Sequence, residues 1–252
     1  MIVIDIGNTN IVLGVYFKKK LTKQYRFETK SKKLLIEINR FFTKSFFLNS
    51  KFDYKGCIIS SVVPNITPFF TKILKKYKIK YTIVKYSSPY LNMKFNIKNP
   101  KELGIDRMVN SIASLDLFGN NCIIVDFGTA TTFDVIKKKI YIGGIIAPGI
   151  ISSHDSLVKN AALLKKIKIL KSNIVIGKNT EEAMKSGFYW GYISLINGII
   201  LKILSEKKFK PKLILTGGLA KVFKNNIKQK YIYMPDLTLH GLYLIGIKKN
   251  DR

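Results

Sequence analysis

Two short segments of the 252-residue chain combine an acid, a glycine and a cluster of hydroxyl or amide side chains. The first is Asp5-Ile6-Gly7-Asn8-Thr9-Asn10, continuing into Ile11 and Val12. The second is Asp126-Phe127-Gly128-Thr129-Ala130-Thr131-Thr132. A glycine in a tight turn lets backbone amides approach a phosphate, and Thr or Asn side chains can donate to its oxygens. Asp5, at the end of an apolar strand, is suited to hold a hydrated Mg²⁺ that bridges phosphates. Either segment alone would read equally well as an ordinary hairpin turn. Two in one chain point to a pair of facing turns that clamp a triphosphate. Thr216-Gly217-Gly218 is a third backbone-exposing turn, which either receives the adenosine of a nucleotide or caps a helix. Asp106 and Arg107 fall in the first turn of an expected helix, where an acid is favoured in any case.

The elements that must carry these turns follow from the pattern around them. Residues 2–15 and 123–136 share an apolar strand, Asp-x-Gly, a polar turn and a second apolar strand, at an offset of 121 residues between Asp5 and Asp126. That is close to half the chain and favours two similar halves, each opening with a β-hairpin, over chance likeness of two hairpins. Beyond the hairpins, strands are expected at 56–63, 81–84, 141–146 and 212–215. Helices are expected at 34–47, 66–77, 102–118, 152–164, 180–205, from Leu219, and near 239–247. Alternating strands and helices imply an α/β fold. With no low-complexity linker, the repeat alone sets the division into 1–117 and 118–252.

Composition excludes other classes. The chain is 47% hydrophobic and 12% aromatic, too apolar for disorder and sufficient for a large core. No uninterrupted apolar run reaches the roughly 18 residues of a membrane span; 140–151 and 191–204 are broken by Gly, Pro, Ser, Asn or Lys. No charged n-region and apolar h-region open the chain, so a cytoplasmic protein without membrane association is expected. Cys57 and Cys122 read as reduced core residues rather than a disulfide. His154 and His240 have no partners at zinc-ligand spacing. The formal net charge of +29 invites a nucleic-acid reading. The lysine runs (Lys18-Lys19-Lys20, Lys75-Lys76, Lys137-Lys138-Lys139, Lys207-Lys208) are short, scattered and not interleaved with aromatics. Compositional drift accounts for them better, and specific nucleic-acid binding is not expected.

The two Asp-x-Gly hairpins and the late Thr-Gly-Gly resemble the superfamily of actin, sugar kinases and heat-shock ATPases. More narrowly, five motifs in order resemble the type III pantothenate kinases: Asp5 to Asn10; Asn99-Pro100-x-Glu102-x-Gly104-x-Asp106-Arg107; Asp126 to Asp134; Gly143-Gly144-x-x-x-Pro148-Gly149; and Ile176-Gly177-x-Asn179-Thr180. The resemblance implies two actin-like, ribonuclease H-like halves with a nucleotide cleft between them. It implies ATP-dependent phosphorylation of pantothenate to 4′-phosphopantothenate, the opening step of coenzyme A synthesis. Asp106 would be the proton acceptor; Gly104, Ile105, Asp106, Arg107 and Thr180 would bind pantothenate. Asp5, Ile6, Gly7, Asn8, Thr9, Asn10, Ile11, Val12 and Thr129 would bind ATP with Mg²⁺. Asp126 would hold a monovalent cation, K⁺ or NH₄⁺, and the protein would be a homodimer whose site is completed across the interface. Thr180 also reads as the N-cap of its helix, with Glu181 and Glu182 in the first turn.

The chain departs from the family pattern in three places. Ile105 stands where the family usually has Ala, Ile97 where a Tyr is common, and Ala161-Ala162-x-Leu164 is what survives of an Ala- and Pro-containing stretch. These bear on affinity more than on the reaction. Two other readings remain open: a transcription accessory or nucleic-acid-binding regulator on the same fold, and a kinase for another small hydroxylated substrate.

Overall fold

The duplicated segments fold as duplicated sheets. In the computed structural model, which describes residues 1–43, 56–88 and 93–250, β1 (Ile2–Ile6) pairs antiparallel with β2 (Asn10–Phe17), and β2 antiparallel with β3 (Lys20–Glu28). On its other edge β1 pairs parallel with β4 (Cys57–Ser61), and β4 with β5 (Tyr81–Ile83), giving the order β3-β2-β1-β4-β5. The second sheet has a short strand β6 (Lys94–Phe95) at one edge. Its body consists of β7 (Cys122–Phe127), β8 (Ala130–Lys137), β9 (Ile140–Pro148), β10 (Lys212–Thr216) and β11 (Tyr231–Tyr233) in the order β11-β10-β7-β8-β9-β6. The β7–β11 body repeats the pairing senses of the first sheet strand for strand.

The repeat extends to irregularities. The register shifts between Val15 and Tyr16 in one sheet and between Val135 and Ile136 in the other. Both following turns have two residues with positive φ, Lys18-Lys19 (45° and 67°) and Lys138-Lys139 (50° and 66°). Such turns ordinarily select Asn-Gly. Lysines at all four positions fit a composition that places lysine even where the backbone disfavours it.

The chain divides into two compact units. One comprises Met1–Met93, Lys98–Ala113 and Leu237–Arg252; the other comprises Lys94–Ile97 and Ser114–Asp236. The sequence division at 117/118 differs from this because α7 (Leu237–Asn250) packs on β1, β2 and β4 and so belongs with the first unit. In that unit alternation sends Ile2, Ile4 and Ile6 with Ile11, Leu13 and Val15 to one sheet face. They pack against Leu34, Ile38 and Phe42 of α1 (Leu34–Thr43) and Phe70, Ile73 and Leu74 of α2 (Thr67–Lys76). Each such side chain contributes roughly 1.5–3 kcal/mol by leaving water. The expected extension of α1 to Phe47 lies outside the described residues.

In the second unit, Ile123, Val125, Phe127, Phe133, Leu213 and Leu215 pack against Tyr189, Ile193, Ile196 and Ile200 of α5 (Thr180–Lys207). That helix is long and apolar enough to cross a membrane by composition, but these four residues are buried in the core of its unit. Shorter helices complete the fold: α3 (Ile105–Phe118), α4 (Ile150–Asn160) and α6 (Ala220–Phe223). Helix α3 starts three residues later than expected, because Pro100–Glu102 forms a separate 3₁₀ turn that ends in extended Leu103. Helix α4 starts at Ile150 and ends at Asn160, so the helix expected at 152–164 is displaced toward the N-terminus. Strands β3, β6 and β11 were not anticipated. Both cysteines are free and buried; burial pushes the Cys122 thiol up to about 11 and the Cys57 thiol up as well.

Candidate active site

The site of the first unit is a row of residues across the sheet. Register pairs Arg26 on β3 with Val12 on β2, Val12 with Asp5 on β1, and Asp5 with Ser60 on β4. Their sequence neighbours Phe27, Ile11, Ile4 and Ile59 belong to the core cluster or pack on it, so the row lies on the opposite face. Ser60 Oγ, fully buried, donates to Asp5 Oδ1 at 2.7 Å. Burial pushes the Asp5 carboxyl up to about 6, opposed by the Ser60 hydrogen bond; the Asp106 charge raises it further, and that of Arg26 lowers it.

The turn after Asp5 is braced from β3. Gly7 N donates to Asn10 O at 3.0 Å, Thr29 Oγ1 to Gly7 O at 2.7 Å, and Thr29 N to Thr9 O at 2.9 Å. Asn8 and Thr9 are exposed at its tip. Asp106 sits in the first turn of α3, half-buried, with Oδ1 accepting from Arg107 N at 2.8 Å. A methyl group on Gly104 would stand 2.5 Å from that same oxygen, so only glycine leaves room for the carboxylate here. Asn99 holds the approach: its side chain accepts from Lys101 N at 3.3 Å and donates to Glu102 Oε1 at 2.7 Å. Farther along α3, buried Asn110 accepts from Thr238 Oγ1 at 2.7 Å, pinning α3 to α7. Asp5, Gly104, Ile105, Asp106 and Arg107 thus belong to one unit.

The second unit carries the corresponding row Ile146, Thr132, Asp126 and Thr216. Its hairpin is one residue shorter, joining Phe127 to Thr131 where the first joins Ile6 to Ile11. Gly217, with φ +90°, lies so close to Asp126 that a methyl group there would fall 2.4 Å from Oδ1. Thr131 hydrogen-bonds to the Tyr192 hydroxyl, which donates to Pro148 O at 3.0 Å. Thr129 is exposed in the turn, and its carbonyl accepts from Ser152 Oγ at 3.0 Å. Thr180 is the exposed first residue of α5 and not its cap. Asn179 is the N-cap and accepts from Glu182 N at 2.9 Å, while Glu182 Oε2 accepts from Lys178 N at 2.9 Å. Thr180 also borders a largely apolar cavity of about 430 Å³, with Leu157, Leu164 and Phe188 in its walls.

His154 has a structural role: Ile167 N donates to Nε2 at 3.1 Å and Nδ1 lies 3.2 Å from Asp155. It ties the stretch after α4 back to that helix. Among the described residues, no three His, Cys, Asp or Glu side chains gather as a metal cage. Sequence reasoning missed Ser60, Thr29 and Arg26. For Ser60 the available signal was a pair of serines ending an apolar strand; for Arg26 there was none before the register was known.

Two sheets of one topology, each bearing an acid and a polar turn at the end of its first strand, make up a fold shared with sugar kinases and ATPases of the actin-like kind. A family model for type III pantothenate kinase matches residues 1–202, and the chain belongs to that family of phosphoryl-transferring enzymes. Solved structures show the same fold. A protein described as a conserved Baf family transcriptional activator from Campylobacter jejuni superposes with a TM-score of 0.63 at 23% identity, covering 100% of both chains. The activator of 2-hydroxyisocaproyl-CoA dehydratase from Clostridium difficile, with bound ADPNP, gives 0.54 at 9% identity over 100% of this chain and 97% of its own. The ROK hexokinase of Thermus thermophilus gives 0.52 at 10% identity over 100% of both.

Proposed function

We propose that the protein transfers the γ-phosphoryl group of ATP to the primary hydroxyl of pantothenate, forming 4′-phosphopantothenate and ADP. The observation that carries this reading is the placement of Asp106. Its carboxylate is held at the start of α3, within electrostatic reach of Asp5 at the phosphate turn of the same unit. As the pantothenate oxygen attacks phosphorus, Asp106 takes the hydroxyl proton and ADP departs. Arg107 presents a planar fork suited to the pantothenate carboxylate. Thr180 supplies a further substrate contact, beside the apolar cavity. The turn from Asp5 through Val12 and Thr129 hold the nucleotide.

The donor set fits a magnesium ion carried mainly by the nucleotide. Asp5 is a single carboxyl whose proton affinity is raised first by burial and then by the Asp106 charge, and a bound cation would favour its ionised form. Mg²⁺ bound there would neutralise phosphate charge. Asp126, with Thr132 and Thr216 beside it in register, suits a monovalent cation, K⁺ or NH₄⁺. A homodimer is supported by large apolar side chains on and after α4, among them Leu163 (91% exposed), Val175 (68%) and Ile176 (85%).

The test is ADP formation by purified protein with Mg²⁺ and K⁺, with and without pantothenate. Pantothenate-dependent turnover that falls by about 10³-fold in Asp106→Asn, with the fold intact, is expected. Turnover of that variant within a few-fold of wild type overturns the role given to Asp106.

A further inference from the structure

We infer that Arg26 is a further catalytic residue, whose guanidinium binds the phosphoryl group in transfer at the site of Asp5 and Asp106. The inference rests on the kinase reading above and adds a residue to its machinery. Strand β3 is the edge of its sheet, and Arg26 lies in the cross-strand row that runs through Val12 to Asp5 and Ser60. The face it occupies is fixed by its neighbours. Tyr25 and Phe27 turn the other way and meet Phe41 of α1 edge-on, at ring-centroid distances of 4.7 and 6.4 Å. A one-residue slip of β3 would send both aromatics into water, so the register holds Arg26 on the side of the acids.

A fixed cation at this place would act together with the nucleotide's metal in offsetting negative charge. Two carboxylates, Asp5 and Asp106, already act on one another, and the incoming triphosphate adds further negative charge. Arg26 is the positive side chain that acts on Asp5 from across the row. Glu28, two residues along β3 and opposite Asn10, shares the face and leaves the row itself to Arg26. A guanidinium offers a planar pair of donors matched to phosphoryl oxygens, and strengthens as charge gathers on them in transfer. The duplicated sheet shows that the fold does not demand this residue. Ile146 occupies the same place in the Asp126 row and is 66% exposed. Arg26 is itself exposed on an edge strand, so its removal leaves the core untouched.

The experiment compares wild type, Arg26→Gln and Arg26→Lys in steady-state turnover, in binding of MgADP and of a non-hydrolysable MgATP analogue, and in thermal melting. Arg26→Gln is expected to lower kcat by about 100-fold or more. The pantothenate KM and the melting temperature should be nearly unchanged, and the preference for triphosphate over diphosphate should be lost. Arg26→Lys should recover a minor part of kcat, because the point charge returns without the fork. A kcat for Arg26→Gln within threefold of wild type overturns the inference, as does loss that tracks a fall in melting temperature. If wild type shows no pantothenate-dependent turnover, the kinase reading fails on its own. Arg26 is then judged by binding: an unchanged triphosphate preference in Arg26→Gln refutes it.

Discussion

In the first unit the acid of the polar turn stands among a serine, a second carboxylate and an arginine. In the second unit the acid at the same place stands among threonines, with a glycine pressed against it. Both have a buried hydroxyl residue on the parallel neighbouring strand, Ser60 in one and Thr216 in the other. What the two sheets share is therefore the acid and its hydroxyl neighbour; what differs is the residue at the far end of the row, Arg26 in one and Ile146 in the other. Burial, and after it the Asp106 charge, resists the ionisation of Asp5. Asp126 has the hydroxyl residues Thr132 and Thr216 beside it in register, the setting of the monovalent cation proposed above. One topology serves two kinds of electrostatics because the strand pairs set where a side chain stands, while flanking residues set what it feels.

Five variants sharpen this contrast, in order of expected effect. Asp5→Asn should lower turnover by about 10²–10³-fold, whereas Asp126→Asn should cost roughly tenfold and show itself chiefly as a higher K⁺ requirement. Parallel kinetics across a K⁺ series separates them, and equal losses with equal K⁺ dependence would break the comparison. Asp5→Asn should also stabilise the ligand-free protein. The folded carboxyl binds its proton up to about pH 6, against 3.8 for an ordinary Asp, so between those values the folded state holds more protons than the unfolded state. The contribution of Asp5 to stability accordingly falls as pH rises through that window. The rise corresponds to about 3 kcal/mol, and the variant should melt roughly 6–12 °C higher at pH 7, with the gain vanishing toward pH 4.

Gly217→Ala tests the close approach in the second unit. The positive φ and the contact with Asp126 Oδ1 should together cost about 1–3 kcal/mol and disturb the Asp126 row. Denaturant unfolding measures this, and a neutral result would mean that the loop relaxes away from Asp126. The smallest effect belongs to the hairpin turns. Lys138→Asn with Lys139→Gly should stabilise by about 1 kcal/mol, and Lys18→Asn with Lys19→Gly by a similar amount, since both turns need positive φ at both positions. Gains of different size in the two sheets would show that the turns are less alike than their dihedral angles.

Much of the candidate site was legible before the structure. Asp5, Gly7, Asp126, Gly128 and the turn hydroxyls declare themselves because a turn's chemistry is local: the acid ends an apolar strand and the glycine follows at fixed spacing. Helices such as α2 and α5 declare themselves through their apolar pattern. Strand β3 did not, because an edge strand with one exposed face reads Lys20-Leu21-Thr22-Lys23-Gln24, too polar for a core strand. Strands β6 and β11 are two and three residues long and exist only by pairing with distant partners. Thr180 looked like a cap because Thr is a good one, yet Asn179 takes the position one residue earlier.

The sequence by itself determined the two-fold repeat, the α/β alternation and the acids that begin each polar turn, because periodicity and turn chemistry act over a few residues. Only the tertiary structure decided that Ser60 and Arg26 share a row with Asp5, that Gly104 and Gly217 make room for carboxylates, and that the last helix joins the first unit. Those facts depend on strand register and on packing between segments far apart in the chain, which no local pattern encodes.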